Sequence, residues 1–549
     1  MEPKQISNEN PIAYFCAEYA LTADLQIYAG GLGVLAGDLL READDQSFPM
    51  IAVGLYYEDG YETPHQVNEK GSIDVPHVHA SPKDYGLSEL LEAETQTPIL
   101  VDIPIQDKTI KAKVWKWSAG KIPLYLLNTN VEENSEEDRK ITDHLYVKDR
   151  ETRFKQAIVL GIGGVRLLDR LQIQPSIYHM NEGFASLLCL ELVKKEMSTR
   201  HIGFDEAKKN AAQKVVYTNH TLVTAGHDNY EASLLNVNLA KYVTELGIPI
   251  DQILRTGSPE NSTVFSSTLF AMRMAGKINA VSRIHSKKAA EIWPSNPMTP
   301  ITNGIHLGSW DALAESNIWQ SHIENKKVLL QKISSVTGNK WNEAVFIIGW
   351  ARRLVSYKRP LALFEDIEHL KKILSEKNAR IVISGTLHPG DAESQNILGD
   401  FRNILGDKLK GYAVFLPDYN LSLARIMVAG CDIWLNTPII GFEACGTSGM
   451  KAALNGVLPV STRDGWMDEI DLYGIGWQID DNKINESILN TLEQKVIPLY
   501  FDRDQNGIPQ KWIVNMINAR KLIIERFSTK RMLQDYIDQL YLPLLSSQT

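Results

Sequence analysis

Cysteine is scarce in this chain. It has four among 549 residues, Cys16, Cys189, Cys431 and Cys445, far apart in sequence. They have no zinc-finger or redox spacing, which excludes a disulfide framework and leaves buried, reduced thiols of a cytosolic protein. No apolar run approaches the roughly 18 residues of a membrane-spanning helix. The opening MEPKQISNENP has neither the basic start nor the apolar core of a secretory signal. A cytoplasmic protein with no membrane partner is therefore expected. Positive charge is in deficit, with 57 Lys and Arg against 67 Asp and Glu and a formal net charge of −10. That argues against a broad nucleic-acid surface, while a local basic cluster inside a cleft stays compatible. Internal repeats and low-complexity linkers are absent. So are a P-loop, a Ser-His-Asp grouping and an obvious glycosidase pair of carboxylates. His77 and His79 in VPHVHA lack a carboxylate or cysteine at ligand spacing and read as a surface loop, so no metal is expected.

What is present is an ordinary globular composition, 44% hydrophobic and 23% charged, in a chain long enough for two or more domains. IAYF at 12–15 reads as a strand leading to the glycine turn and helix of YAGGLGVLAGDLLREADD. Residues 153–171 read as one long apolar-faced helix, whose Gly161, Gly163 and Gly164 fit close helix packing better than nucleotide binding. Residues 176–180, 215–218 and 280–281 look like strand ends followed by polar turns. The acidic stretch VEENSEEDRK at 131–140 reads as a solvated loop or helix start. Beyond Gly304 a polar helical stretch intervenes. The alternation then restarts with VFIIGW, a helix from about Pro360, RIVISG, AVFLPDY, DIWLN and VLPVST; residues 518–545 are helical. Such alternation builds α/β domains with parallel sheets and helices on both faces. Two doubly wound Rossmann-like domains are predicted, residues 1–305 and 306–549, with a deep cleft between them. Ligands in such sheets bind at the carboxyl ends of the strands.

Four features point toward phosphate and sugar. The glycines of YAGGLG, between a strand and a helix, let backbone N–H groups approach an anion, although tight turns need glycine too. RRLVSYKR packs Arg352, Arg353, Lys358 and Arg359 into eight residues after VFIIGW, as a cleft-facing phosphate site or as a basic surface loop. GFEACGTSGMK sets Gly446, Thr447, Ser448 and Gly449 ahead of Lys451. That lysine is either an ordinary one in a first helical turn or an enclosed amine able to form an imine. The turns NEGF, TNHT and TNGI offer Asn, Glu and His where sugar hydroxyls need partners, or are plain polar turns.

These segments together resemble the α-glucan (glycogen, starch, maltodextrin) phosphorylases, particularly their short bacterial branch. The resemblance spans nearly the whole chain through YFCAEYAL, IYAGGLGVLAGD, ENSEEDR, LGIGGVRLL, HMNEG, YTNHT, AGHD, INAVSRIHS, ITNGIHL, RRLVSYKR, LNTP, EACGTSGMKAALNG and DGWMDE. The closing RFSTKRMLQDYIDQLYLP is similar to the branch's terminal helix, which is expected to pack back on the N-terminal domain. The resemblance implies a two-domain glycosyltransferase architecture of the GT-B type and reversible phosphorolysis of terminal α-1,4-linked glucose, with retention, to α-glucose 1-phosphate. It implies an α-1,4-glucan and inorganic phosphate as partners, and a homodimer.

Residue by residue, it implies that Lys451 holds pyridoxal 5'-phosphate as a Schiff base. Thr447 and Ser448 would bind the cofactor's phosphate, with Arg352 and Lys358 neutralising it. Arg353 and the backbone N–H of Gly31 would hold the substrate phosphate. Glu443, with the backbone around Cys445 and Gly446, would take one glucosyl hydroxyl, Asn303 and His220 the 6-hydroxyl, and Tyr357 the 2-hydroxyl. The His220 carbonyl would face the anomeric carbon. Lys451, Arg353, Lys358 and His220 form the implied catalytic set. The chain departs from the family's usual text at Phe184, Thr386, Pro417, Asp418, Ile439, Ile440 and Cys445. These departures bear on acceptor subsites and keep two alternatives in view: a catalytically weak or inactive glucan- or cofactor-binding relative, and a sugar-nucleotide glycosyltransferase of the same fold. Lys451 within GTSGMK argues against the second.

Overall fold

Short, wholly apolar segments build two sheets. Ile12–Phe15, Met50–Leu55 and Phe346–Ala351 are buried at every position, as strands covered on both faces must be. The structure, a computed structural model, describes residues 5–61, 67–68, 71–72, 81–117, 120–222, 227–260, 262–386 and 392–547. His77 and His79 lie outside the described residues.

The first sheet runs Thr299–Pro300, Lys277–Ala280, Val215–Asn219, Ile177–Asn181, Ile12–Phe15, Met50–Leu55, Leu124–Asn128, Lys108–Trp117, Leu87–Glu89. From its first strand to Leu124–Asn128 every pairing is parallel, with Ile12 opposite both Met50 and Ile177. Its far edge is antiparallel, where Lys108–Trp117 pairs with Leu124–Asn128, Leu100–Ile105 and Leu87–Glu89. This edge is a departure from the expected wholly parallel pattern. Lys108–Trp117 carries charged and apolar residues in alternation because one face meets solvent. The second sheet is parallel throughout: Ala413–Leu416, Ala379–Ser384, Phe346–Ala351, Ile433–Asn436, Leu458–Ser461, Trp477–Gln478. The result is mixed α/β with two doubly wound sheets, each on its own apolar core.

The long helix exists but is not uniform. Arg150–Ile158 and Gly164–Arg170 flank a π-helical turn, Val159–Gly163. Its glycines are packing residues: a Cβ at Gly161 would stand 2.6 Å from Leu188 N, and one at Gly164 2.5 Å from Phe15 Cε1. The helix expected from about Pro360 begins later, as Ile367–Glu376, because Asp366 caps it by accepting from His369 N at 3.0 Å. Ser135 likewise caps a short helix, Glu136–Arg139, in the acidic stretch.

Residues 518–545 are not one helix. Gln510–Arg526 ends at Phe527, and Thr529–Tyr536 starts after Ser528, whose side chain accepts from Arg531 N. Ala519, Ile523 and Phe527 pack in the second core, whereas Met532, Leu533, Tyr536 and Tyr541 pack in the first. At the crossing Ile305 N donates to Phe527 O and Thr529 N to Ile305 O, both at 2.9 Å. All four cysteines are free and buried. No helix among the described residues is long and apolar enough to cross a membrane.

Under the second sheet lies a buried ion network. Asp432 accepts from Lys326 Nζ at 2.6 Å, His322 Nε2 at 2.9 Å and Ile347 N at 2.7 Å. Asp432→Ala strands the Lys326 ammonium in the core. We expect a loss of about 3–5 kcal/mol, read as a lower midpoint in urea unfolding.

Candidate active site

The candidate residues follow the carboxyl ends of strands in both sheets, the position where an open α/β sheet exposes backbone N–H groups and loops. After Ile12–Phe15 the chain passes through the glycine turn into the helix Gly31–Asp45. The buried Glu18 carboxylate accepts from Ala29 N at 2.6 Å, Gly30 N at 3.1 Å and Tyr146 Oη at 2.7 Å, which fixes the turn. A Cβ at Gly31 would meet nothing within 4 Å, so the helix start is open. Arg353 Nη2 lies 4.0 Å from where a Gly30 Cβ would stand, which brings the basic loop to the glycine loop.

Arg352 and Arg353 follow Phe346–Ala351, and neighbours alternate in side-chain direction there. Arg352 is buried and Arg353 exposed. Glu443 sits between the loop's cations: Arg352 Nη2 is 2.8 Å and Lys358 Nζ 2.9 Å from Glu443 Oε2. Burial opposes ionisation of Glu443, but Arg352 and Lys358 outweigh it and hold the carboxyl below its ordinary value. Lys358 is pushed down to about 8 by burial and by Arg352, with Glu443 working against both. Two cations thus share one carboxylate. Arg352 Nη1 is buried with no hydrogen-bond partner among the described residues. Arg353 has no ion pair there either. Two cations in direct contact with one carboxylate, in a partly desolvated place, suit an oxyanion.

Gly446 precedes the helix Thr447–Leu454 in the left-handed region, at φ 81°, and no side chain caps that helix start. Glycine is needed for that backbone, and a Cβ would come within 3.4 Å of Arg352 Nη2. Thr447 Oγ1 is 3.4 Å from Lys451 Nζ. Ser448 Oγ accepts from Trp434 Nε1 at 3.2 Å, leaving its amide at the helix start. Lys451 is buried, its Nζ 4.2 Å from the Trp310 ring centroid. Burial pushes its amine down to about 8.

The sugar-side candidates form a second group. His220 Nε2 pairs with Asn181 Oδ1 at 2.5 Å, and burial, then His285 and His179, push its imidazole down to about 3. The ring is therefore neutral near pH 7, in keeping with a role for its backbone. His220 N donates at 2.6 Å to Glu182, whose carboxyl burial raises to about 7. Asn303 Oδ1 is buried and unpartnered among the described residues. Cys445 is buried beside the Asn303 backbone, and burial raises its thiol, so it is no nucleophile. Tyr357 stacks on Phe442 at 6.2 Å, and its carbonyl accepts from Ile439 N at 2.8 Å. His220 reaches the Glu443 group indirectly: His285 sits near it at the start of the helix capped by Ser282, and Ser282 Oγ donates to Ala444 O at 2.6 Å.

Of the departures, Phe184 is a core side chain, Ile439 and Ile440 are exposed, and Asp418 adopts a left-handed backbone, φ 57°. Three functional neighbours escaped sequence reasoning. Asp464 accepts from Glu443 N at 2.8 Å, and burial lifts its carboxyl to about 6. Trp310 lines the Lys451 amine. Asp38 receives the Trp310 N–H. Asp38 left a trace in the sequence as a carboxylate on the apolar face of GLGVLAGDLL.

Two doubly wound sheets, with a cluster of cations where their carboxyl ends meet, define a two-domain glycosyltransferase architecture. A family model described as carbohydrate phosphorylase matches residues 302–473. The chain is 33% identical to a glycogen phosphorylase of Aquifex aeolicus, over 98% of this chain and 87% of that one. It is also 33% identical to a maltodextrin phosphorylase of Thermococcus litoralis, over 98% and 71%. An uncharacterized protein of Methanocaldococcus jannaschii is 29% identical over 97% and 99%. The chain belongs to the carbohydrate phosphorylase family.

The Lys358 amine is cationic below about pH 8 and neutral above it. Inorganic phosphate, titrated by calorimetry into the cofactor-free chain, should therefore bind more weakly above that pH. The loss should reach about tenfold, the low end for one charge-assisted hydrogen bond. Lys358→Arg, which keeps its charge, should hold its affinity to higher pH.

Proposed function

We propose that this chain is an α-glucan phosphorylase. It cleaves the terminal α-1,4-linked glucose of a glycogen- or maltodextrin-type chain with inorganic phosphate, reversibly and with retention, to give α-glucose 1-phosphate. The observation that carries this is the arrangement of cations: Arg352 and Lys358 share the carboxylate of Glu443, and Arg353 stands beside the glycine loop. The family and the named relatives point the same way. The four free, buried thiols suit the cytoplasm.

The residues fit pyridoxal phosphate. A buried amine on an indole face, an uncapped helix start behind Gly446, and an unpartnered buried guanidinium nitrogen lie together. Lys451 would hold the cofactor covalently, Thr447 and Ser448 its phosphate, with Arg352 and Lys358 neutralising it. When bound, the cofactor supplies a second phosphate group beside the substrate phosphate. Arg352, Lys358 and Arg353 would offset the repulsion between two phosphate groups held there.

Arg353 and the Gly31 N–H hold the substrate phosphate against the glycosidic bond. The glycosidic oxygen takes its proton from that phosphate as the bond to the anomeric carbon breaks. A phosphate oxygen then bonds to the anomeric carbon on the same face. The His220 carbonyl favours the positive charge developing there. Glu443, Asn303, the His220 side chain and Tyr357 position the ring through its hydroxyls, and neutral His220 does so without exchanging a proton.

The test is a phosphorolysis assay on maltooligosaccharides and glycogen, with and without pyridoxal phosphate. Glucose 1-phosphate should appear only with cofactor. Transfer from a nucleotide-glucose donor without cofactor would overturn the proposal. Arg353→Ala should raise the phosphate KM about 10- to 100-fold, the worth of a charge-assisted contact. Lys451→Ala should yield no pyridoxyl peptide after borohydride and lose at least about 100-fold in kcat.

A further inference from the structure

The Lys451 amine has little direct hydrogen bonding. Its one contact of that kind among the described residues is the 3.4 Å approach to Thr447 Oγ1. It rests instead on the Trp310 ring, 4.2 Å from the centroid. The ring is gripped at its edge. Trp310 Nε1 donates to both oxygens of Asp38, at 3.0 and 2.9 Å, and Asp38 Oδ2 also accepts from His306 N at 3.3 Å. Asp38 comes from the helix Gly31–Asp45 under the first sheet and is 2% exposed. Lys451 comes from the second sheet's side. Asn455 holds the other end of the assembly, its Nδ2 donating to Trp310 O at 2.8 Å and Lys451 O at 2.9 Å.

Nothing in the handling of phosphate or sugar uses Asp38, yet a buried carboxylate is costly unless it is paired. An indole N–H that donates to a carboxylate is polarised toward it, and hydrogen bonds of this kind reinforce each other in a low dielectric. The ring face becomes more negative and attracts an ammonium more strongly. The other charged groups nearby are Arg425, 5.7 Å from the same ring on the helix Leu421–Gly430, and Arg41, 4.0 Å from Asp38 Oδ1. After burial, Asp38 is the largest influence on the Lys451 amine and raises its proton affinity, while Arg425 lowers it.

We propose that Asp38, acting through the Trp310 indole, governs the placement and protonation of the Lys451 amine, so that one half of the molecule controls the reactivity of a lysine on the other. Asp38 is a positioning residue. The proposal rests on the reading of Lys451 as the cofactor's attachment point, since only the neutral amine can add to an aldehyde.

The test uses the full chain freed of cofactor. Labelling of Lys451 by an amine-acylating reagent is followed against pH by mass spectrometry of its peptide. In the native chain the midpoint should lie near 8. Asp38→Asn keeps an acceptor for Trp310 but removes the charge, and should lower the midpoint by about one unit. Asp38→Glu should restore it. Trp310→Phe keeps a ring and removes the N–H, and should lower the midpoint by less; it decides the matter if Asp38→Asn fails to fold. A midpoint unchanged in Asp38→Asn, or in Trp310→Phe where that variant decides, overturns the proposal. Separately, pyridoxal phosphate is added to the native chain and reduced with borohydride. Absence of pyridoxyl from Lys451 would defeat the functional reading, whereas the midpoint shifts would still support the Asp38 relay.

Discussion

The site depends on one carboxylate held between two cations. Glu443 takes ion pairs from Arg352 and Lys358 inside a largely desolvated pocket, and its own backbone N–H is fixed by Asp464. Among the described residues Glu443 is the only carboxylate in ion-pair contact with Arg352 and Lys358, and Arg353 stands in the field of Glu18 without an ion pair. This clustering of cations suits an oxyanion, and it exists only because three loops from one sheet are forced together at their strands' carboxyl ends. Were the same residues on a solvated surface, screening would leave little of the effect.

The second dependence is the seam between the halves. Ser282 bonds Ala444, Thr302 bonds Glu469, Leu421 N reaches Tyr28, and Trp310 bonds Asp38. The chain also crosses back at Phe527 and Ser528 and is stitched to Ile305 on the way. A Cβ at Gly304 would fall 2.3 Å from Ser528 O, so the two crossings run in close contact. These ties set how far Arg353 stands from the glycine loop, a distance that belongs to neither half alone.

Much of this was legible in the residues. Continuous apolar runs such as IAYF and VFIIGW, short and bounded by polar turns, read as buried strands, and their alternation with helical text means doubly wound sheets. The motifs around Lys451, Arg353 and Glu443 lay at strand ends, so their convergence was readable too. Other features were not. Met50–Leu55 and Leu124–Asn128 are strands like their neighbours, but no candidate site residue follows either. The break at Ser528 lies inside a helical pattern, since each flanking segment has its own apolar face and only the identity of the core it meets differs. Phe184, one of the departures, is packed among core side chains.

The sequence by itself determined which chemical groups are available and which backbone shapes they sit on: the alternating elements, the glycines at close approaches, the cations after one strand and the lysine behind Gly446. It could do so because periodicity, turn chemistry and motif spacing are local properties of the chain. The tertiary structure alone decided the pairings. That Glu443 faces Arg352 and Lys358, that Asp464 holds Glu443, that neutral His220 leans on Asn181, and that Asp38 reaches Lys451 through an indole from the other half are contacts across long stretches of sequence. No local rule encodes them, because burial and partner together set the charge each group carries.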